Sequence, residues 1–112
     1  MKRGEMWTVA GGRDYAGKSR PVLQDDRFDA TASIAVCAST TNTTDVPLFR
    51  LAVEPRETNG LRVSGRLMVD KITTVSRAKI GTHLGRLEDQ DMLRLNRAVL
   101  VFLGIAGATV RG

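Results

Sequence analysis

Only one stretch of the chain carries a clear helical repeat, and it lies near the C-terminus, in "EDQDMLRLNRAVLVFLG". Acidic residues fill its first turn, where they oppose the positive end of the helix dipole, and Gly104 is suited to end the helix. The apolar stripe on one face of this predicted helix, a core or dimer contact, consists of Met92, Leu95, Val99 and Phe102. The rest of the chain must therefore build its core from other elements.

Upstream of this helix, the segments have the alternation or the β-rich composition of strands. "EMWTVAG" (5–11) alternates, with Met6 and Thr8 on one side and Trp7 and Val9 on the other. Further strands are predicted in a short segment that starts at Pro21, in "ASIAVCAST", "PLFRLAVE" and "RLMVDKITTV", and in the shorter "HLGRL". "GGRDYAGKS" is typical of a loop, and "TTNTTD" and "PRETNG" of turns. We predict a mainly β protein with a C-terminal α-helix, a barrel or curled sheet of roughly five to seven strands.

Length and charge narrow the choice further. The 112 residues suffice for one compact domain; we assign 1–105 to that domain and 106–112 to a flexible tail. A net charge of +5 favours nucleic acid, anionic membrane or an acidic protein as partner. Cys37 is the only cysteine, so no intrachain disulfide can form. No signal-peptide pattern or membrane-length apolar run occurs, so a soluble, cytoplasmic protein is expected.

Several segments also occur in a recognisable order: "KRGEMWTV", "SRPVLQDD", "VCASTTNTTDVPLFRLAVEP", "NGLR", "LMVDKITTV" and "LGRLEDQDMLRLNRAVLVFLG". Taken together, this ordered set resembles the MazF/PemK (Kid) toxins of type II toxin–antitoxin systems, from Lys2 to Ile105. The resemblance implies an SH3-like β-barrel of the MazF/PemK/CcdB type.

That resemblance also implies an activity. Such a toxin is a metal-independent, sequence-specific endoribonuclease, or mRNA interferase, that cuts single-stranded mRNA and arrests translation. The ribose 2′-hydroxyl attacks the neighbouring phosphate, leaving a 2′,3′-cyclic phosphate and a 5′-hydroxyl. No cofactor, metal or membrane is implied. The implied partners are a second copy in a homodimer, an acidic MazE/PemI-like antitoxin that blocks the site, and operator DNA, reached only through the antitoxin complex.

Three residues are candidates for catalysis when the family pattern is carried over position by position. The arginine before proline in the second strand matches Arg20, and the threonine at the end of the third strand matches Thr40. The acidic residue of the later strand, a proposed general base, matches Asp70 in "MVDK". Each also has an ordinary structural interpretation: a surface ion pair, a turn residue, and a salt-bridge partner.

Four basic residues are candidates for RNA binding. The family's later basic position matches Lys79, with Arg77 as its neighbour, and Lys18 lies in the predicted basic loop. Alternation puts Arg66 on the same face of its strand as Asp70, with Leu67 and Val69 opposite. If Leu67 and Val69 are core, Arg66 and Asp70 point outward together.

The chemistry available to the chain agrees with a carboxylate base. His83 is the only histidine, which excludes a histidine pair as acid and base. Asp25 and Asp26 are adjacent, so in a strand they would point to opposite faces and would not share a metal ion. A carboxylate with arginine and hydroxyl groups to assist it is the remaining solution.

Two departures from the family pattern leave alternatives open. The apolar stretch after Arg20-Pro21 is shorter, which predicts a short strand as the support of Arg20. Met68 stands where one branch has an arginine as general acid, so that role falls to Arg66 or Arg20. The alternatives are a non-enzymatic, CcdB-like poison of gyrase and a catalytically decayed paralogue that binds only antitoxin or RNA.

Overall fold

The computed structural model describes residues 1–11, 14–41 and 49–105, without the side chains of 11 and 14–17. It contains two 3₁₀ turns, Asp26–Phe28 and Arg77–Lys79. Its strands and helix are β1 (Glu5–Gly11), β2 (Asp14–Pro21), β3 (Ser33–Thr40), β4 (Arg50–Val53), β5 (Gly65–Ser76), β6 (Ile80–Arg86) and α1 (Asp89–Phe102). The prediction of a mainly β protein with a C-terminal helix is confirmed.

The strands form two antiparallel sheets of three strands each, in the orders β2-β1-β6 and β3-β5-β4. The sheets meet where the chain leaves β2: Val22 forms an isolated bridge with Val36, and the Leu23 amide donates to the Ala35 carbonyl at 2.8 Å. Within the described residues the two sheets do not close into a continuous barrel. The end of β2 therefore lies against the middle of β3.

The main core lies between the β3-β5-β4 sheet, β1 and the helix. Leu67 and Val69 of β5 are buried in it, as their alternation predicts. From the helix, Leu95 and Ala98 are buried, whereas Phe102 is 45% exposed. The predicted stripe thus meets the core at its centre and leaves it toward the end of the helix.

Helix α1 begins and ends as its sequence indicates. It follows Glu88, and Gly104, two residues beyond its last residue, adopts a φ of +75°. The Arg94 guanidinium donates to the Ala52 carbonyl of β4 at 2.9 Å, which ties the helix to the edge of its sheet. Among the described residues, no helix has the length and apolar character needed to cross a membrane.

The segment predicted as a glycine-rich loop is instead largely a strand. Residues Asp14 to Pro21 form β2, which pairs with β1, and Pro21 ends this strand rather than starting one. Pairing with β1 satisfies the backbone groups and overrides the glycine-rich composition. Residues 12–13 lie outside the described part of the chain. The interpretation of Lys18 as part of a loop is therefore wrong.

The other turns and strands differ from the predictions mainly in their limits. In "PRETNG", Gly60 has the predicted positive φ, +69°. The turn predicted in "TTNTTD" lies almost wholly in 42–48, outside the described residues, and β6 is longer than expected. In β1, shifts in register bury both Met6 and Val9, so the predicted two-sided alternation fails there. The boundary between domain and tail, at 105, stays a prediction.

Candidate active site

Arg20 lies near the end of β2, opposite Trp7 of β1, and is partly buried. Its Nε is buried and has no hydrogen-bond partner within the part of the chain that the structure describes. Arg20 contributes to a cleft of about 380 Å³, called here the Arg20 cleft. The residues that line this cleft are Lys18, Arg20, Ala38, Ser39, Met68, Lys71, Ile72 and Thr73.

Asp70 lies in a bulge of β5 beside this cleft. Cys37 of β3 pairs with Ile72, but the next residue, Ala38, pairs with Met68, so residues 69–71 have no partner in β3. The Val69 amide donates instead to the Phe49 carbonyl at 2.8 Å. Bulges redirect side chains and are common next to active sites. This one places Asp70 next to Lys71, which lines the Arg20 cleft.

Arg50 contacts Asp70 from the neighbouring strand. Its Nη2 lies 3.4 Å from Oδ2 of Asp70, and the two side chains are only 20% and 22% exposed. Oδ1 of Asp70 and Nε of Arg50 are buried and have no hydrogen-bond partner among the described residues. Sequence reasoning missed Arg50. Its only signal was its place opposite the apolar face of β4, because the contact depends on which strand pairs with β4.

Cys37 shows that Arg20 and Asp70 lie in the same region. Burial raises the pKa of the Cys37 thiol to about 12, the Arg20 charge lowers it and the Asp70 charge raises it. A buried thiol responds to both charges only when both are near it. The structure therefore does not separate Arg20 and Asp70 onto opposite sides of the molecule, the arrangement that would have excluded a shared site.

Thr40 and two of the predicted RNA-binding residues line a second, larger cavity of about 530 Å³. Thr40, at the end of β3, pairs with Arg66 of β5, and both line this cavity. Lys18 and Ser39 line both this cavity and the Arg20 cleft, so the two are adjacent. The loop that follows β4 forms the far wall.

Arg77 and Lys79 lie elsewhere. They form the 3₁₀ turn after β5, where the Arg77 Nε donates to the Thr31 carbonyl at 2.5 Å. This turn is at the Ser33 end of β3, seven residues from Thr40, a distance of about 23 Å along an extended strand. The structure does not bring these two residues to the Arg20 cleft, and their role in RNA binding stays a prediction.

The remaining acids near the start of the chain have structural roles. Asp25 accepts a hydrogen bond from the Arg27 amide at 2.9 Å and caps the first 3₁₀ turn, and the Arg3 amide donates to Asp26 at 2.6 Å. Within the described ranges, no three His, Cys, Asp or Glu side chains are grouped so that they could hold a metal ion.

A comparison with known families decides the assignment. Residues 2–103 match the family of PemK-like, MazF-like toxins of type II toxin–antitoxin systems. The chain belongs to this family. It is 53% identical, over 96% of its length and the whole of the relative, to a protein named probable endoribonuclease MazF from Mycolicibacterium smegmatis.

Solved structures share the fold of this MazF-like toxin. One is an endoribonuclease from a mycobacterial species in complex with its cognate antitoxin, with 24% identity and a TM-score of 0.78, covering 94% of this chain and 96% of that one. Another is MazE–MazF from Deinococcus radiodurans, with 16% identity and a TM-score of 0.77, covering 95% and 97%. At these identities the likeness concerns the fold.

The two departures from the MazF/PemK pattern have structural outcomes. Arg20 is supported by an eight-residue strand paired with β1, so the expectation of a short supporting strand is wrong. Met68 is buried, and its partner across the β4–β5 pair is Arg50. Arg66 faces the larger cavity, whereas Arg50 is the arginine in contact with Asp70.

Proposed function

We propose that this MazF-like toxin is an endoribonuclease that cleaves single-stranded mRNA without a metal ion, at the Arg20 cleft. The observation that carries the proposal is the placement of Arg20 and Asp70 around Cys37, each with a buried polar atom that has no partner among the described residues. Buried polar groups are rarely left unpaired, and exceptions call for an explanation such as a catalytic role.

In this mechanism, the Asp70 carboxylate takes the proton of the ribose 2′-hydroxyl. The 2′-oxygen forms a bond to phosphorus as the bond from phosphorus to the 5′-oxygen breaks, and a 2′,3′-cyclic phosphate and a 5′-hydroxyl result. Arg20 stabilises the charge that develops on the phosphate oxygens. Of the two arginines considered as proton donor to the leaving 5′-oxygen, Arg20 lines the cleft, whereas Arg66 lines the larger cavity.

The RNA strand would extend from the cleft into the larger cavity. Lys18 borders both spaces, and Thr40 and Arg66 line the second. Cations along a groove bind the backbone of a single strand, and hydroxyl groups can contact bases or sugars. Thr40 thus contributes by positioning the substrate. Arg77 and Lys79 would bind RNA only at a distance from the cleavage site.

The partners follow the family pattern. We propose that the toxin is a cytoplasmic homodimer that an acidic MazE/PemI-like antitoxin neutralises, and that it reaches operator DNA only through the antitoxin complex. The named structural relatives support an antitoxin partner, because one is described as bound to its cognate antitoxin and another as MazE–MazF. Sedimentation equilibrium at micromolar concentration should give twice the mass of the chain; a monomer at every concentration would contradict the dimer.

The proposed activity can be tested by mapping RNA ends. Purified protein is incubated with a long transcript in EDTA, and discrete fragments with 5′-hydroxyl ends are expected. Arg20→Ala should reduce cleavage by at least about a thousandfold, since it removes the charge that stabilises the transition state. Arg27→Ala is the matched control, because Arg27 is 79% exposed and pairs with Asp25 outside the cleft.

The outcomes separate the proposed function from its alternatives. Cleavage that persists in Arg20→Ala would remove Arg20 from the site. Wild-type protein that leaves every transcript intact would contradict the endoribonuclease. Expression in bacteria then distinguishes a gyrase poison, which damages DNA, from a decayed paralogue, which has no phenotype.

A further inference from the structure

Arg50 is placed to act on Asp70 and not on the open cleft. It is the first residue of β4, and its partner across the sheet is Met68, two residues before Asp70. A long side chain in this position reaches the diagonal neighbour on the next strand. Arg50 is not among the residues that line the Arg20 cleft. Its polar contact is therefore with the carboxylate.

The ion pair is partly removed from solvent, which distinguishes it from the ion pairs on the surface. Arg50 and Asp70 are 20% and 22% exposed, against 55% and 41% for Arg56 and Glu88, which are 3.7 Å apart. Exposed pairs contribute little because water and salt screen them, whereas a shielded pair interacts more strongly. The Arg50 charge can therefore set the orientation of the carboxylate.

The bulge explains why Asp70 needs such support. Residues 69–71 have no partner in β3, so the β3–β5 ladder does not hold the backbone there. Arg50 contacts Oδ2, while Oδ1 is buried and has no partner among the described residues. One oxygen is thus held from the neighbouring strand, and the orientation of the carboxylate is determined by a residue outside the cleft.

We propose that Arg50 is a positioning residue for Asp70: it holds the carboxylate in the orientation in which Asp70 accepts the proton of the 2′-hydroxyl. This inference rests on the proposed function, since it assumes that Asp70 is the base. It assigns to Arg50 no contact with the RNA phosphate. Loss of Arg50 should therefore slow the chemical step and leave RNA binding unchanged.

The test is a double-mutant cycle on an RNA that contains one mapped cleavage site. Arg50→Gln should lower kcat by roughly 10- to 100-fold, because small losses of placement are costly to catalysis, with KM changed by less than about twofold. In the Asp70→Asn background, Arg50→Gln should have no further effect beyond about twofold. Arg50→Lys should recover part of kcat, because it keeps the charge but not the planar guanidinium.

Two further measurements complete the test. Binding of the same RNA with a 2′-deoxyribose at the cleavage site, which cannot react, should be equal for wild type and Arg50→Gln. Arg56→Gln, which removes an equal charge from an exposed pair, should cleave as wild type does. Circular dichroism checks the fold; if Arg50→Gln does not fold, Arg50→Lys serves in its place, with the same split between kcat and KM.

Several results would overturn the inference. Unchanged kcat in Arg50→Gln would remove its role, and multiplied effects of Arg50→Gln and Asp70→Asn would show that Arg50 acts independently of Asp70. Binding of the unreactive RNA weakened by tenfold or more would show direct contact with phosphate. Full activity in Asp70→Asn would remove the base and this inference while leaving the endoribonuclease intact. A wild-type protein without activity would contradict the proposed function itself.

Discussion

Cys37 has the most unusual chemical environment of any single residue with a described side chain near the site. It is fully buried in the main core, and burial raises the pKa of its thiol from 9.0 to about 12, with Arg20 and Asp70 close enough to influence it. A residue that sequence alone marks as a small core side chain therefore lies directly behind the candidate catalytic groups. Its reactivity can report on the integrity of the site.

We predict that the Cys37 thiol resists modification in the folded protein. With a pKa of about 12 in place of 9.0, its thiolate fraction near pH 8 falls by roughly a thousandfold. A disulfide reagent should react slowly in buffer and rapidly in urea. The raised pKa stabilises the fold fully below pH 9, and this contribution is lost as pH rises toward 12. Fast modification of the folded protein at pH 8 would contradict this environment.

Among the elements, the loop between β4 and β5 is ordered by a buried asparagine. Asn59 is fully buried, its Nδ2 donates to the Glu54 carbonyl at 2.9 Å, and its Oδ1 accepts from the Arg56 and Leu61 amides at 3.0 and 2.9 Å. A buried amide that satisfies these partners fixes the loop as a side-chain-centred turn. Since residues 60–64 line the larger cavity, this turn shapes the predicted RNA path.

We predict that Gly60 is indispensable in this loop, whereas Gly104 is not. Both have positive φ, +69° and +75°, but a Cβ on Gly60 would collide with the Leu84 backbone, and nothing lies within 4 Å of one on Gly104. Gly104→Ala should therefore cost about 1 kcal/mol from backbone strain alone. Gly60→Ala should cost on the order of 3 kcal/mol or more, because β6 must also shift. Urea unfolding measures both, and equal losses would refute the close approach.

For the whole molecule, the charge of +5 is distributed unevenly with respect to the candidate site. Lys18, Arg20 and Lys71 surround the Arg20 cleft, and Arg62 and Arg66 line the larger cavity. The two spaces adjoin and together form a basic surface. Such a surface binds the phosphate backbone in a salt-dependent way.

We predict that affinity for a single-stranded RNA that cannot be cleaved falls linearly with the logarithm of salt concentration. Each phosphate contact contributes a slope of about −0.7 for single strands, so Lys71→Ala should flatten the plot by about 0.7. Arg27→Ala, which removes an exposed charge outside both cavities, should leave the slope unchanged. Fluorescence anisotropy provides the measurement. Equal slopes for both variants and wild type would place the RNA elsewhere.

Much of the fold was predictable because its signals are local. The helix from Asp89 follows from the spacing of its apolar residues, and the burial of Leu67 and Val69 from strict alternation. The β2 strand was missed because its glycine-rich sequence has weak strand preference and is stabilised by pairing with β1. The alternation assigned to β1 failed for the same reason, since register shifts come from its neighbours.

The candidate site divides along the same line. The amino-acid sequence by itself determined the family, the helix and the candidates Arg20, Thr40 and Asp70, since these depend on residue type and order along the chain. Only the tertiary structure decided that Arg50 contacts Asp70, that Thr40 and Arg66 line a separate cavity, and that Arg77 lies far from both. Those relations depend on strand pairing and on a bulge, where residues distant in sequence become neighbours, and local preferences carry no record of that pairing.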